Sequence, residues 1–186
     1  MRKSREEAAK TRERIVSAAA SEFRRNGIVA TGLSDLMAAA GLTHGGFYKH
    51  FESKDQIVAE AVGSLTEMMT AVASDKPSRG GFEALVAKYL STAHRDEPSH
   101  GCLLAALGSE IARCDEKTRA ASTDGFLRLV DMIGRQFGRT TPDAVRRRAL
   151  AVASTMIGAL TMARIATDPE LSAEILHEVG KHLTLK

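Results

Sequence analysis

The chain has 186 residues, of which 44% are hydrophobic and 26% charged, with a formal net charge of +3 and a pI near 9.0. This length exceeds one typical domain and scarcely fills two, which favours a small module that shares its core with a larger one. The N-terminus is charged and no apolar run approaches ~18 residues, so we expect no signal peptide, no membrane span and a cytoplasmic protein.

The first predicted helix runs from about Glu6 to Arg25 and is rich in basic residues. Its inner face carries Ile15, Ala19 and Phe23, and Asn26-Gly27 supplies its stop. Residues 1–25 contain eight Lys or Arg against four Glu, so the positive charge of the whole chain is concentrated there. Such an excess predicts contact with nucleic acid, and a merely solvated helix face is the alternative.

Two short helices are predicted next, at about 33–40 and 44–51, with a tight turn at Gly41 between them. Thr43 is placed to cap the second by accepting from the backbone N–H of Gly45 or Gly46. Phe47 and Phe51 lie four residues apart and face inward, which leaves the opposite side slim, polar and positive. Two glycines cost about 1 kcal/mol each inside a helix, so their presence indicates that another surface, such as a DNA groove, approaches the backbone.

The segment from Ala40 to Ile57 resembles the signature of the TetR family of bacterial repressors. It matches the pattern Ala-Gly-Val/Leu-Ser/Thr-x-Gly-x-Phe/Leu-Tyr-x-His/Tyr-Phe-x-Ser/Asn-Lys-x-x-Leu/Ile at every defined position. The resemblance extends back through the first helix and covers roughly the first third of the chain. It implies a dimeric, all-helical protein in which a small ligand, bound by the C-terminal domain, releases operator DNA, so a repressor is favoured over an activator.

The chemistry of the second short helix assigns roles toward double-stranded DNA. Thr43 and His44 lie at its N-terminus, where side chains reach base edges in the major groove. Gly45 has no side chain and allows the floor of the groove to approach the backbone. Residues suited to phosphates are Tyr48, Lys49, His50, Lys54 and, at the start of the preceding helix, Ser34. For Tyr48 and His50 the alternative is packing within the small module.

The rest of the chain predicts six further helices and no strand. A capping box from Ser53 to Gln56 opens a helix that continues to about Ala73, and a loop follows at 75–81. Later helices are expected at about 82–94, 101–113 and 117–137, and then after the two starts Thr141-Pro142-Asp143 and Asp168-Pro169-Glu170. We therefore predict an all-α fold of about nine helices: a three-helix helix-turn-helix DNA-binding domain over residues 1–52, and a ligand-binding and dimerisation domain over residues 53–186.

Helices eight and nine, near 142–167 and 169–184, are predicted to form a homodimer interface. Helix nine carries an apolar stripe, and helix eight combines small residues that allow close approach with larger apolar ones that supply area. Packing inside their own domain is the alternative. The helix eight residues are Ala149, Val152, Ala153, Met156, Ile157, Gly158, Ala159, Leu160 and Ala163, and the stripe of helix nine is Leu171, Ile175, Leu176, Val179 and Leu183.

A ligand site is expected among the C-terminal helices, as the family resemblance implies, although each of its candidates could equally be plain core. Pliable methionines favour an adaptable pocket, and no cofactor is predicted. The candidate lining residues are Met68, Met69, Tyr89, Leu103, Leu107, Phe126, Val130 and Met156.

Cys102 is the candidate for a redox or electrophile signal, because the N-terminus of helix six favours a thiolate and His100 is a possible cationic neighbour. A packed, inert thiol is the alternative. The two cysteines are expected as reduced thiols rather than a disulfide bridge.

A metal-responsive regulator could use His94, His100, Cys102 and Cys114. Their spacing matches no standard zinc pattern, so no metal site is predicted. No catalytic spacing is present, which argues against an enzyme.

Overall fold

The computed structural model describes residues 2–70, 80–137 and 141–185, with side chains described for 5–63, 80–137 and 141–185. Within these ranges the chain forms α-helices and short 3₁₀ turns and no strand, which confirms the predicted all-α fold. The α-helices are α1 Arg2–Asn26, α2 Leu33–Ala39, α3 Lys54–Thr70, α4 Gly81–Tyr89, α5 Thr92–Asp96, α6 Leu103–Ile111, α7 Glu116–Arg135, α8 Pro142–Ile165 and α9 Pro169–Thr184.

Local capping chemistry explains most of the helix boundaries. Gly27 and Gly41 adopt φ of 87° and 69°, the left-handed conformation that ends α1 and α2. Asp115 accepts from the Thr118 N–H at 2.7 Å to start α7. The predicted starts of α8 and α9 are also present: the Thr141 and Asp168 side chains accept backbone hydrogen bonds, and a proline follows each of them.

The capping box before α3 differs in one partner from the prediction. The Ser53 hydroxyl accepts from the Gln56 N–H at 3.1 Å as expected, whereas the Gln56 side chain accepts from Glu52 N–H at 2.7 Å, one residue earlier than predicted. Both backbone donors are still satisfied, so α3 begins where the sequence placed it.

Three predicted helices are wrong in detail. The helix at 44–51 is a 3₁₀ helix, His44–Lys49, because two glycines within six residues give an α-helix little support. The helix at 82–94 is divided into α4 and α5, because the Ser91 hydroxyl accepts from the His94 N–H at 3.1 Å and starts a new helix. The helix at 101–113 starts at Leu103, after a 3₁₀ turn, Pro98–His100, and an extended Gly101.

Two hydrophobic cores are built from interleaved parts of the chain. The first joins α1, α2 and the 3₁₀ helix to α3 and α6 through buried residues that include Phe23, Phe47 and Leu107. The second is formed by α4, α7, α8 and α9 together with the start of α6, around Ile133, Met156 and Leu160. Because α6 contributes to both cores, the helix-turn-helix segment is packed directly on the C-terminal part of the chain.

Helix α8 is the most apolar long helix among the described residues. It is 24 residues long and contains an 18-residue window with a mean hydropathy of 1.2, so by length and composition it could cross a membrane, contrary to the expectation from the sequence. Ala153, Met156 and Leu160 of this helix are fully buried in the second core. Internal packing therefore accounts for part of its apolar character, since 39% of the window is buried.

Candidate nucleic-acid interface and ligand site

One side of the 3₁₀ helix packs on the first core, and the opposite side is exposed to solvent. Phe47 and Phe51 are buried with ring centroids 5.4 Å apart, and they fix this segment on the first core. Tyr48 is 67% exposed, and its ring forms a T-shaped contact with Phe47 at a centroid distance of 5.3 Å. Of the residues predicted to contact DNA, six are exposed and two, His50 and Lys54, are half-buried: the exposed six are Ser34, Thr43, His44, Gly45, Tyr48 and Lys49.

The hydroxyl of Thr43 does not cap the 3₁₀ helix, contrary to the prediction. The first turn is closed by the backbone instead, since the Gly46 N–H donates to the Thr43 carbonyl at 3.0 Å. The Thr43 side chain is thereby left exposed and free to meet another molecule. Its neighbour His44 is oriented from the preceding helix, because the Ser34 hydroxyl lies 3.2 Å from His44 Nδ1.

The absence of a side chain has different consequences at Gly45 and at Gly46. A Cβ at Gly46 would lie 3.3 Å from the Met37 side chain, so this glycine serves packing within the module. A Cβ at Gly45 would meet no atom within 4 Å, so nothing inside the chain requires a glycine there. The prediction that another surface approaches the backbone therefore applies only to Gly45.

Much of the predicted basic footprint is already engaged inside the chain. The Arg12 guanidinium forms a two-pronged ion pair with Glu60 of α3 and stacks 4.6 Å over the Phe51 ring. Lys10 pairs with Glu6 at 3.1 Å, and Arg25 pairs with Glu22 at 3.1 Å. Arg24 is buried, with only 6% of its surface exposed. The burial of Arg24 and the pairing of Arg12 with Glu60 therefore reduce the positive charge that this helix presents to solvent.

A carboxylate from α6 holds the turn between α1 and α2. Glu110 Oε2 accepts from the backbone N–H of Ile28 at 2.9 Å and from that of Val29 at 3.0 Å. A Cβ at Gly27 would lie 2.9 Å from Glu110 Oε1, so the absence of a side chain there lets the carboxylate approach. This contact joins the helix-turn-helix segment to the C-terminal helices, and sequence reasoning did not identify it.

The predicted ligand-lining residues whose side chains the structure describes are divided between the two cores. Leu103 and Leu107 belong to the first core, whereas Tyr89, Val130 and Met156 belong to the second, with Phe126 at its edge. The side chains of Met68 and Met69 lie outside the described residues. A surface pocket of about 280 Å³ is found elsewhere, and none of these candidates lines it: its walls are Arg95, Asp96, Ala163, Arg164, Ala166, Thr167, Pro169 and Ser172.

Five polar side chains from five segments meet between the two cores, and we call them the arginine cluster. They are Arg24 of α1, Tyr89 of α4, His94 of α5, Cys102 before α6 and Arg164 of α8. Cys102 is buried at the N-cap position of α6, rather than in its first turn, and interacts electrostatically with both arginines and with the Tyr89 hydroxyl.

His94 is held as a neutral ring within the arginine cluster. Its Nδ1 lies 2.7 Å from the Tyr89 carbonyl, which can only accept, so this nitrogen carries the hydrogen. The Nε2 atom then accepts from the Cys102 N–H at 2.9 Å. Burial lowers the pKa of His94, and the nearby Arg164 charge lowers it further against the opposing effect of the Tyr89 carbonyl.

The donors of the arginine cluster are incompletely used. Arg164 donates to the carbonyls of Arg95 at 3.1 Å and His94 at 2.7 Å, and Arg24 donates to the Gly101 carbonyl at 3.4 Å. Three buried atoms of the cluster find no hydrogen-bond partner of good geometry among the described residues: Arg24 Nε, Arg164 Nη1 and the Tyr89 hydroxyl, which is within reach of the Cys102 sulfur. The sequence does not single out Arg24 or Arg164, and the available signal is that Arg164 is the only charged residue of α8 after Arg148.

The four residues of the metal alternative are not brought together as a ligand set. His100 is exposed and lies 3.6 Å from Glu97, and the Cys114 thiol donates to the Glu110 carbonyl at 3.6 Å. Burial, followed by nearby acidic groups, raises the pKa of Cys114. In the parts of the chain that the structure describes, no group of three or more His, Cys, Asp or Glu side chains could hold a metal ion.

The predicted dimer face of α8 is mostly turned into its own chain. Of the nine residues predicted there, seven are buried in the second core, and only Gly158 is exposed. A different face of α8 remains open, where Gly158 has no neighbour within 4 Å and Met162 and Ile165 are 53% and 62% exposed. On α9, the apolar side chain of Leu171 is 46% exposed.

Comparison with known proteins gives a consistent result at the level of sequence. Residues 15–61 match the family model described as bacterial regulatory proteins, tetR family. An uncharacterised HTH-type transcriptional regulator of Mycobacterium tuberculosis is 30% identical over 168 residues, which cover 84% of this chain and 86% of that protein.

Solved structures share the fold over nearly the whole chain. A TetR transcriptional regulator from Chloroflexus aurantiacus superposes with a TM-score of 0.75 at 28% identity, covering 98% of this chain and 94% of that one. AibR, crystallised with isovaleryl coenzyme A and operator DNA, gives a TM-score of 0.63 at 16% identity and covers 93% of this chain and 97% of its own. At that identity the second comparison concerns the fold alone.

Proposed function

Because the chain belongs to the TetR family of transcriptional regulators, we propose that it is a cytoplasmic repressor that leaves its operator when a small molecule binds its C-terminal part. The observation that carries the proposal is the exposed side of the 3₁₀ helix. Thr43, His44 and Gly45 present short polar groups and open backbone at its N-terminus, the end at which helix-turn-helix proteins read bases.

We propose the remaining contacts from exposure and charge. Tyr48 and Lys49 project beside the reading end, and Ser34 and Lys54 lie at the starts of the two flanking helices, where backbone N–H groups favour phosphate. Residues 1–52 are then the DNA-binding domain, and residues 53–186 are the ligand-binding and dimerisation domain. The Glu110 contact with the α1–α2 turn gives the second domain a physical connection to the first.

A homodimer is proposed through the open faces of α8 and α9. A helix-turn-helix protein meets two half-sites about 34 Å apart, which requires two reading heads held together. Gly158, Met162, Ile165 and Leu171 offer exposed apolar surface with a small residue at which two helices could approach closely.

The test of the proposed function is selection of an operator. The purified protein is mixed with sheared DNA from its source organism, bound fragments are sequenced, and affinity for the enriched site is measured by fluorescence anisotropy. We expect a palindromic site bound at least 10³-fold more tightly than random DNA. Equal affinity for enriched and random DNA would refute sequence-specific regulation.

A second candidate input is oxidation or alkylation of Cys102. The supporting observation is that its sulfur lies near the guanidiniums of Arg24, which is buried, and of Arg164, which is half-buried. The thiol is 3% exposed, so a reagent would need the surrounding helices to open. Operator release by N-ethylmaleimide in the wild type and in Cys114→Ser, but not in Cys102→Ser, would support this input. Release that persists in Cys102→Ser would exclude it.

A further inference from the structure

Ser34 and His44 form a side-chain pair on the exposed side of the helix-turn-helix segment. The Ser34 hydroxyl, in the first turn of α2, lies 3.2 Å from Nδ1 of His44, the first residue of the 3₁₀ helix. Both residues are exposed, and neither side chain has another hydrogen-bond partner among the residues that the structure describes. The pair therefore faces solvent on the surface that the proposed function assigns to DNA.

The backbone of the turn between the two helices fixes the relative position of these side chains. Gly41 donates its N–H to the Ala38 carbonyl at 2.9 Å. Leu42 donates its N–H to the Met37 carbonyl at 2.8 Å, and the Met37 side chain is fully buried in the first core. Because this backbone is already ordered, contact with a base needs to order only the His44 ring, and the hydrogen bond with Ser34 lowers that cost as well.

The Ser34 hydroxyl determines which ring nitrogen of His44 carries the hydrogen. A neutral imidazole has one donor nitrogen and one acceptor nitrogen. Because the hydroxyl has no other acceptor among the described residues, it donates to Nδ1, which is then the acceptor of the ring. The ring hydrogen lies on Nε2, which has no partner in the described part of the chain and is available to another molecule.

A single N–H donor distinguishes the four bases by the groups that they present in the major groove. Guanine presents two acceptors, N7 and O6, without a neighbouring donor. Adenine has an amino group beside N7, thymine has a methyl group beside O4, and cytosine offers a donor. An imidazole N–H therefore fits guanine best and cytosine worst. Gly45, next to His44, has no side chain that would keep the edge of the base away.

We propose that Ser34 is a positioning residue which holds His44 as the Nε2–H tautomer, and that His44 thereby selects a guanine in each half-site of the operator. This inference rests on the proposed function, because it requires sequence-specific binding to DNA. The hydroxyl hydrogen of Ser34 is used by the His44 ring, so a phosphate contact of Ser34 uses its backbone N–H instead.

The tautomer is measured in the free protein by long-range ¹H–¹⁵N NMR at pH ~8, above the range in which histidine side chains ordinarily titrate. Wild type and Ser34→Thr, which keeps the hydroxyl, should show His44 with its hydrogen on Nε2 alone. Ser34→Ala should show nitrogen shifts averaged between the two tautomers, whereas Ser154→Ala, which changes an exposed serine of α8, should match wild type. Hydrogen on Nδ1 in the wild type, or unchanged shifts in Ser34→Ala, would overturn the proposal.

Base selection is measured by fluorescence anisotropy on the enriched operator, with each of the four bases placed in turn at every position of the half-site. One position should prefer guanine about tenfold in the wild type and lose this preference in His44→Ala. Ser34→Ala should weaken the preference, and Ser34→Thr should retain it. A His44-dependent position that prefers another base would contradict the proposal.

A double-mutant cycle separates positioning of His44 from a direct contact between the Ser34 hydroxyl and phosphate. If the hydroxyl acts through the ring, Ser34→Ala should change neither base preference nor affinity once His44 is replaced by alanine. A hydroxyl that contacts phosphate would instead make Ser34→Ala weaken binding to every sequence alike in both backgrounds. That result would refute the positioning role.

Failure of this inference and failure of the proposed function give different results. A protein that binds no operator would refute both, since no base would be selected. Specific operator binding without a His44-dependent guanine would refute the inference alone and leave the proposed function in place.

Discussion

The Glu110 carboxylate accepts a hydrogen bond of 2.9 Å from the backbone N–H of Ile28, which is 82 residues earlier in the chain. The same oxygen accepts from Val29, so one side chain of α6 satisfies two donors of the α1–α2 turn. Helix-turn-helix function depends on the orientation of the elements on either side of that turn. The contact therefore predicts an effect on both stability and DNA affinity.

Glu110→Ala should lower the free energy of unfolding by about 1–3 kcal/mol, because the buried N–H of Ile28 loses its acceptor. Glu110→Gln keeps an oxygen in place and should recover most of this loss. Urea denaturation measures both, with Glu174→Ala on the exposed side of α9 as the control. Equal stability of all three variants would show that this contact contributes nothing.

Lys54→Ala should weaken operator binding to every sequence alike and reduce the slope of log affinity against log salt by about 0.9. The reason is the loss of a single phosphate contact at the start of α3. Anisotropy titrations over a range of salt concentrations measure the slope. Lys181→Ala, an exposed lysine in the last turn of α9, should leave it unchanged.

His44→Ala should change the preferred base at one position of each half-site, at a cost of about 1–3 kcal/mol for the original base. Ser34→Ala removes the group that lies 3.2 Å from the His44 ring and should broaden the same preference to a smaller extent. Selection from a randomised operator library reads out both. Identical base preferences for wild type and His44→Ala would mean that His44 reads no base.

Gly158→Arg should produce a monomer that binds a full operator weakly. A Cβ at this position meets no atom of its own chain within 4 Å, so the arginine fits the monomer and obstructs only a partner. Light scattering gives the mass, and Ala87→Arg on the exposed side of α4 is the matched control. A persistent dimer would place the interface away from α8.

Acid should destabilise the protein through His94. Its pKa is lowered in the folded state, so below the unfolded value of about 6.5 the unfolded chain binds more protons. Stability from neutral His94 is therefore complete above pH ~6.5 and is lost as pH falls from there through the lower folded pKa. His94→Gln should show a weaker decline in denaturation midpoint over this range. An identical decline in the two proteins would contradict this.

The predictable parts of the fold are those that local chemistry determines. Gly27, Gly41, Thr141 and Asp168 set helix boundaries through their own backbone conformation or their own hydrogen bonds, and the sequence predicted all four. The division of α4 from α5 is not evident in the sequence, because the apolar spacing continues across the cap at Ser91. The 3₁₀ geometry of 44–49 is not evident either, because two consecutive glycines are also consistent with an open helix surface.

The remaining features depend on long-range packing. In the sequence Arg24 belongs to a basic run and Arg164 to no motif, yet they meet at Cys102 because α1 and α8 both end beside the start of α6. The candidate pocket residues were chosen for apolar type, and the structure divides them between two cores. Periodicity shows which face of a helix is apolar, but it does not show which other helix covers that face.

Helix α6 forms hydrogen bonds with other elements at both of its ends. At its beginning, Cys102 donates its N–H to His94 at 2.9 Å, within the arginine cluster. In its last turn, Glu110 holds the α1–α2 turn. An α-helix rises about 1.5 Å per residue, so the eight steps between these residues amount to roughly 12 Å of stiff rod. A displacement of the rod at Cys102 would reach the turn almost undiminished, and amide hydrogen exchange at Ile28 and Val29 would register it.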